Sequence, residues 1–244
     1  MTVVEGWATG SGIRIRYLDS KPDEPKGLPI LFVPGLSDFA DEYVEMLEFL
    51  LPRRVVVVEV RGRGKSDAPP SGYSVVDHMG DVGAVIDDAG LDRFHLMTFS
   101  RGTSWGMEWA FAHPDRIASI SIGDYRAWEV GMPDTFADMV WSQTFRGKPM
   151  PDRIQRHVLE GLAAESVQRD LYDELKAVGV PVLVAYGNSG SLVNEEAKER
   201  FVATIPDVKL VNIPDAPHDL FRPVRNAYPQ EVATFIAERG LDGT

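Results

Sequence analysis

The chain has 244 residues, 44% hydrophobic and 25% charged, which suits one soluble domain with a single sizeable core. Its formal charge of −12 argues against a nucleic-acid partner, and the absence of cysteine excludes disulfides, thiolate metal sites and a cysteine nucleophile. Residues 1–7 lack the basic and apolar regions of a leader peptide, and no apolar run approaches the ~18–20 residues that span a bilayer. The expectation is a cytoplasmic protein with no membrane association.

The apolar runs 3–8 and 13–18, parted by Gly10-Ser11-Gly12, predict a hairpin. The segment 20–27 is charged, carries Pro22 and Pro25, and reads as a surface turn. Ile30-Leu31-Phe32-Val33 forms a continuous apolar strand that stops at Pro34-Gly35. Tyr43, Met46, Leu47 and Leu50 recur at helical spacing until Pro52 ends the run. A second apolar strand, 55–58, leads into the Gly-rich loop Arg61-Gly62-Arg63-Gly64-Lys65-Ser66. Ser74, with Asp77 three residues on, predicts a capped helix whose inner face carries Val75, Met79, Val82 and Ile86, closed by Gly90. The strand 94–99 then runs straight into a helix over about 103–113, with Ser100 at the corner.

A further strand, 117–122, ends at Gly123-Asp124. From 125 to 179 the pattern changes: Trp128, Phe136, Trp141 and Phe145 are interspersed with Pro133, Pro149 and Pro151, and the last part, from about 163 to 178, is amphipathic. Strand 182–186, helix 194–205, strand 208–213 and helix 226–239 complete the chain. This alternation predicts a mostly parallel sheet with helices on both faces. The core is assigned to 1–124 and 180–244, with 125–179 inserted as a helical lid or an extra helical layer.

A serine on a tight strand-to-helix turn lifts its hydroxyl above the sheet edge, where the first N–H groups of the new helix face whatever it attacks. Gly64-Lys65-Ser66 matches the tail of a phosphate-binding loop, but Glu59 stands where the first glycine belongs and Pro69-Pro70 prevent a helix at Ser66. That loop therefore reads as structural. No His, Asp and Glu group has metal-ligand spacing, so neither metal nor cofactor is expected.

Five segments give the chain, over nearly its whole length, a resemblance to the α/β-hydrolase superfamily. They are Phe32-Val33-Pro34-Gly35-Leu36, the loop at Arg61, the elbow at Ser100, His113-Pro114-Asp115-Arg116-Ile117, and Asp215-Ala216-Pro217-His218-Asp219. The resemblance implies the α/β-hydrolase fold with a short helical lid. It assigns Ser100 as nucleophile, His218 as its base, and the backbone N–H groups of Leu36 and Arg101 as the oxyanion hole. The literal G-x-S-x-G pattern falls instead on Gly102-Thr103-Ser104-Trp105-Gly106, but Ser104 would lie on the helix flank, so Ser100 is preferred. Thr98 stands where the family has glycine and crowds the turn. His78, His95, His113 and His157 read as structural.

The family's usual acid position, in the loop 187–193, is occupied by Gly190. Some members carry the acid on the neighbouring strand, which points to Asp124; Glu195, or a triad without its acid, are the alternatives. The Arg101 side chain either points to solvent or a surface acid, or holds a carboxylate or carbonyl of the substrate. The function implied is a serine hydrolase acting on an ester, lactone or related carbonyl of a small molecule, in a pocket under Trp128, Phe136, Trp141 and Phe145. A haloalkane dehalogenase or epoxide hydrolase is disfavoured, because each needs Asp at Ser100. Two other readings stay open: a lyase, cyclase or cofactor-free oxygenation using the same Ser and His, and a small-molecule binding protein. Substrate identity and oligomeric state are not legible.

Overall fold

The runs at 30–33 and 55–58 have no polar face, and those at 94–99 and 117–122 carry only His95, Thr98, Ser119 and Ser121 as polar residues, so each needs cover on both sides. A computed structural model, which describes residues 3–241, shows how that cover is arranged. The first half of the chain forms β1 (Val4–Gly10), β2 (Ile13–Asp19), β3 (Ile30–Val33), α1 (Val44–Phe49), β4 (Val55–Glu59), α2 (Val75–Asp88), β5 (Phe94–Phe99), α3 (Gly102–Ala112) and β6 (Ile117–Gly123). Residues 125–179 contain β7 (Trp128–Glu129), α4 (Phe136–Trp141), β8 (Thr144–Phe145), β9 (Lys148–Pro149), α5 (Arg156–Glu165), β10 (Arg169–Asp170) and α6 (Tyr172–Val178). β11 (Val182–Tyr186), α7 (Glu195–Thr204), β12 (Val208–Asn212) and α8 (Ala227–Glu238) follow.

Eight strands form one sheet in the order β1-β2-β4-β3-β5-β6-β11-β12. β1 and β2 are the predicted hairpin, and β2 runs antiparallel to β4; every later pairing in this sheet is parallel. Every residue of β3, β4, β5 and β6 is buried. Alternation sends Leu31, Val33, Val56 and Val58 into one apolar cluster and Ile30, Phe32, Val55 and Val57 into the other. The first cluster is closed by α2, α3, α6 and α7, the second by α1 and α8. Each fully buried Val, Ile or Phe contributes roughly 1.5–3 kcal/mol. Among the described residues no helix is long and apolar enough to cross a membrane.

The sequence signals hold where neighbours in the chain decide. Ser74 caps α2: its Oγ accepts from Asp77 N at 3.2 Å, and Asp77 Oδ2 accepts from Ser74 N at 3.1 Å. Tyr43, Met46, Leu47 and Leu50 are all buried, although the first turn is a 3-10 segment, Ala40–Tyr43, before α1 begins. The amphipathic run 163–178 is not one helix. α5 ends at Glu165 and Ser166 turns extended. Its Oγ accepts from Met132 N at 2.7 Å, and Leu171 N donates to Ala127 O at 2.9 Å, so the segment pairs with residues 127–132. Val167 is left exposed. α6 packs on α3 and α7, while α4 packs on α5.

The register of α3 against β3 sets where the corner lies. A Cβ on Gly102 would sit 2.1 Å from Pro34 O and 2.3 Å from Val33 O. Only glycine allows this approach, and it brings residues 34–36 against Ser100. Gly102→Ala is expected to cost at least about 1–3 kcal/mol in denaturant unfolding. A loss below ~0.5 kcal/mol would show that the helix can back away.

Candidate functional site

Ser100 leaves β5 with φ +50°, a strained conformation for a residue with a Cβ, and its N–H donates to Gly123 O at 2.8 Å. Thr98, crowded by sequence expectation, is accommodated from the other side. Its methyl would lie 3.1 Å from a Cβ on Gly106, so the space a glycine would have left at 98 is supplied one helical turn along α3. Its hydroxyl is satisfied by Ser121 O at 3.2 Å and Thr103 Oγ1 at 3.0 Å. Ser104 is buried on the helix and donates back to Arg101 O at 3.1 Å.

Ser100 Oγ lies 2.9 Å from His218 Nε2, and His218 Nδ1 lies 2.6 Å from Asp124 Oδ2. An ionised carboxylate only accepts, so Nδ1 carries the proton and Nε2 is free to accept from the serine. The Phe99 ring stacks on the imidazole with centroids 5.3 Å apart. Asp124 follows β6 with φ +45° and is fully buried. The loop 187–193, which has no acid of its own, supplies it with donors. Gly187 N and the Ser191 hydroxyl donate to Oδ1, and Leu192 N donates to Oδ2 at 3.2 Å. Glu195 is instead the exposed first residue of α7, paired with Lys198.

The other four histidines are held elsewhere. His78 is buried, stacked 4.3 Å from Trp105, and burial followed by the Arg63 charge pushes its pKa well below the usual value. His95 contacts Ser119 Oγ at 2.8 Å, His113 contacts Trp109 O at 2.9 Å, and His157 contacts Pro69 O at 3.1 Å. The Gly-rich loop closes on its own carboxylate: Lys65 N donates to Glu59 Oε1 at 2.7 Å, and a Cβ on Gly64 would strike that carboxylate at 2.3 Å. Arg61 pairs with buried Asp81 at 2.6 Å.

Two clefts meet at Ser100 and Leu36. The smaller, about 200 Å³, is lined by Ser37, Asp38, Gln143, Phe145 and His218 among others. The larger, about 380 Å³, has walls of Trp128, Val130, Met132, Phe136 and Leu192, with Arg101 and Arg126. Trp128 and Phe136 thus face one cleft and Phe145 the other. Trp141 lines neither, because α4 turns it toward Arg156, whose guanidinium lies 5.9 Å from the ring.

Both expectations for the Arg101 side chain are corrected. It is buried, its Nη2 donating to Glu129 Oε1 at 2.5 Å and its Nη1 to Val130 O at 3.0 Å. The partner acid is buried too, on β7, so the guanidinium is not solvated and its charge is already paired at the cleft wall.

Sequence reasoning missed a buried ionic cluster beneath the smaller cleft. Arg146, at the tip of the β8–β9 hairpin, makes two 2.8 Å bonds to Asp219, the neighbour of His218, and one of 3.3 Å to Glu42. Arg153 pairs with Glu42 at 2.7 Å. Asp38 Oδ2 accepts from Gly35 N and from the Tyr43 hydroxyl, both at 2.8 Å. Burial raises the Asp38 pKa, only partly offset by Arg146. Burial also acts to raise Glu42 and Asp219, but their arginine partners outweigh it and hold both below the ordinary value. Arg63 Nε donates to Leu36 O at 2.8 Å. The segment 35–38 is thereby fixed at both ends. No local pattern announces this cluster, since its members come from residues 38–43, 146–153 and 219.

A family model described as alpha/beta hydrolase fold matches residues 29–142. The enol-lactonase from Burkholderia xenovorans LB400 superposes with a TM-score of 0.81 over 95% of this chain and 100% of that one, at 20% identity. The chain is an α/β-hydrolase-fold protein. Within that fold, the haloalkane dehalogenase 2 of Mycobacterium tuberculosis is 30% identical over 156 residues, 62% of this chain and 51% of the dehalogenase. The chain therefore spans about half the length of that curated relative. The non-heme chloroperoxidase of Streptomyces lividans is 24% identical over 255 aligned residues, 87% of this chain and 92% of the peroxidase.

Arg146→Met leaves Asp219 only the exposed Arg222, 3.5 Å away, as an ionic partner and weakens the hold on Glu42. It is expected to cost about 3–5 kcal/mol, the range for breaking a buried pair by removing one partner. Denaturant unfolding at constant m-value is the check, and a change under ~1 kcal/mol would show that water replaces the guanidinium.

Proposed function

We propose that this α/β-hydrolase-fold protein is a serine hydrolase that cleaves an ester, lactone or related carbonyl bond of a small molecule. The reading rests on the continuous hydrogen-bonded chain from Ser100 through His218 to buried Asp124. Ser100 Oγ attacks the carbonyl carbon while His218 Nε2 takes its proton. Asp124 holds the imidazole by Nδ1 and stabilises the positive charge that develops. The backbone N–H groups of Leu36 and Arg101 are assigned to the developing oxyanion. His218 then returns the proton to the leaving oxygen, and a water molecule, deprotonated by the same imidazole, releases the acyl group.

The relatives bear on this reading through one position. Dehalogenase-type chemistry needs a carboxylate nucleophile where this chain has Ser100, so the likeness to haloalkane dehalogenase 2 does not bring its named reaction along. An acid displaced from its usual loop also keeps a lyase, cyclase or cofactor-free oxygenation using the same Ser and His as the second reading; the bond of Asp124 to His218 at 2.6 Å leaves the chain of groups that hydrolysis needs unbroken. We assign residues 125–179 as the cap, because its segments 128–136 and 140–150 wall the two clefts beside Ser100.

A fluorophosphonate probe is expected to label wild-type protein at Ser100 and to leave Ser100→Ala unlabelled, with release of 4-nitrophenol from short acyl esters by the wild type alone. Labelling without turnover of any carbonyl substrate would favour a non-hydrolytic enzyme, and no labelling a binding protein. Asp124→Asn should lower kcat by ~10⁴ with the fold intact, as loss of the orienting carboxylate does in serine triads. Near-normal kcat in that variant would reduce Asp124 to a turn residue.

A further inference from the structure

Resting on the assignment of Ser100 as nucleophile, we infer that the larger cleft is built for an apolar acyl group that carries a carboxylate, and that Arg126 receives that anion. The cleft is about 380 Å³ and reaches Ser100 at one side. Among its lining residues there is no carboxylate and there are two arginines. Arg101 is spent internally on Glu129. Arg126 is not. Its Nε donates to Leu192 O at 2.8 Å, and its guanidinium carbon lies 4.7 Å over the Trp128 ring. Among the described residues no acid pairs with its two terminal nitrogens.

These contacts decide what the side chain can do. The bond to Leu192 O and the stacking on Trp128 hold the guanidinium plane, so little freedom is lost when a ligand binds. Trp128 and Leu192 are themselves cleft walls, which places the free fork at the edge of the apolar surface. A carboxylate is the complementary planar partner for such a fork. The chain carries a formal charge of −12, so an anion reaching the cleft meets general repulsion and needs a dedicated cation. The apolar walls then select the body of the molecule, and Arg126 selects its charged end. The distance between charge and scissile carbonyl follows from the two ends of the cleft.

Two esters of equal chain length test this on the full chain: 4-nitrophenyl hexanoate and the mono-4-nitrophenyl ester of adipic acid. The wild type is expected to have the higher kcat/KM for the half-ester, and Arg126→Gln to lower the half-ester to hexanoate ratio about tenfold. Raising salt to ~0.5 M should shrink the wild-type ratio and leave the variant's ratio unmoved. Equal losses on both esters in Arg126→Gln would mean that Arg126 only braces Leu192, and the inference fails. A separate measurement does not need hydrolysis: 6-phenylhexanoate should raise the thermal midpoint of wild type more than its primary amide does, and Arg126→Gln should erase that difference. If acid and amide act alike on the wild type, the anion site is overturned even where esters are cleaved. If the acid is preferred but no ester is cleaved and Ser100 resists the probe, the cation site stands and the hydrolase reading falls.

Discussion

A fully buried carboxylate is stable in place only if donors replace the water it has lost, and Asp124 receives four of them from two loops. Gly187, Ser191 and Leu192 approach from the loop after β11, and His218 Nδ1 from the loop after β12. The bond to His218 is therefore one member of a closed set. It fixes the ring's tautomer, and with it the acceptor nitrogen turned toward Ser100. Every other feature of the site either brings one of these groups to the sheet edge or keeps it from moving there.

The sheet does the first task by register. β5, β6 and β11 lie side by side and parallel, so their C-terminal ends reach one edge together. Ser100 and Asp124 both leave that edge with positive φ, at +50° and +45°. Strain of order ~1–3 kcal/mol at each is tolerated because the adjacent strand holds the backbone: Ser100 N donates to Gly123 O and Asp124 N to Ala185 O, each at 2.8 Å. The close contact of Gly102 with the end of β3 then brings the 34–36 segment to the same spot.

How much of this was legible follows from the range of the interactions. The parallel strands could be read because unbroken apolar runs are a local property, and so could the Ser74 cap. The corner at Ser100 and the late loop at His218 follow from the order of such elements. Asp124 was reachable only by elimination, from Gly190 standing where an acid was expected; the donors that the 187–193 loop turns on it have no sequence signature. The break in the run 163–178 was hidden, since its hydrogen bonds to residues 127–132 are long-range and leave no mark on the amphipathic pattern. Arg101 shows the same limit. A cation beside a nucleophile invites a ligand, and nothing near it in the chain announces that Glu129, 28 residues away, already occupies it.

The arginines explain how irregular segments at the sheet edge are kept rigid. Residues 35–38, 60–66, 145–153 and 217–222 belong to no long helix or strand, so backbone ladders cannot hold them. Planar guanidinium forks do so instead: Arg61 on Asp81, Arg63 on Leu36 O and Arg146 on Asp219. Each joins two segments far apart in the chain, and each carries several donors in fixed directions, which a lysine ammonium does not. The cost of burying these charges makes the cross-braces weak sources of net stability, but a misplaced loop would leave a charge unpaired. That penalty favours one arrangement of the loops over its neighbours. Positional precision at Ser100, Leu36 and His218 is then maintained by groups that need not touch a substrate.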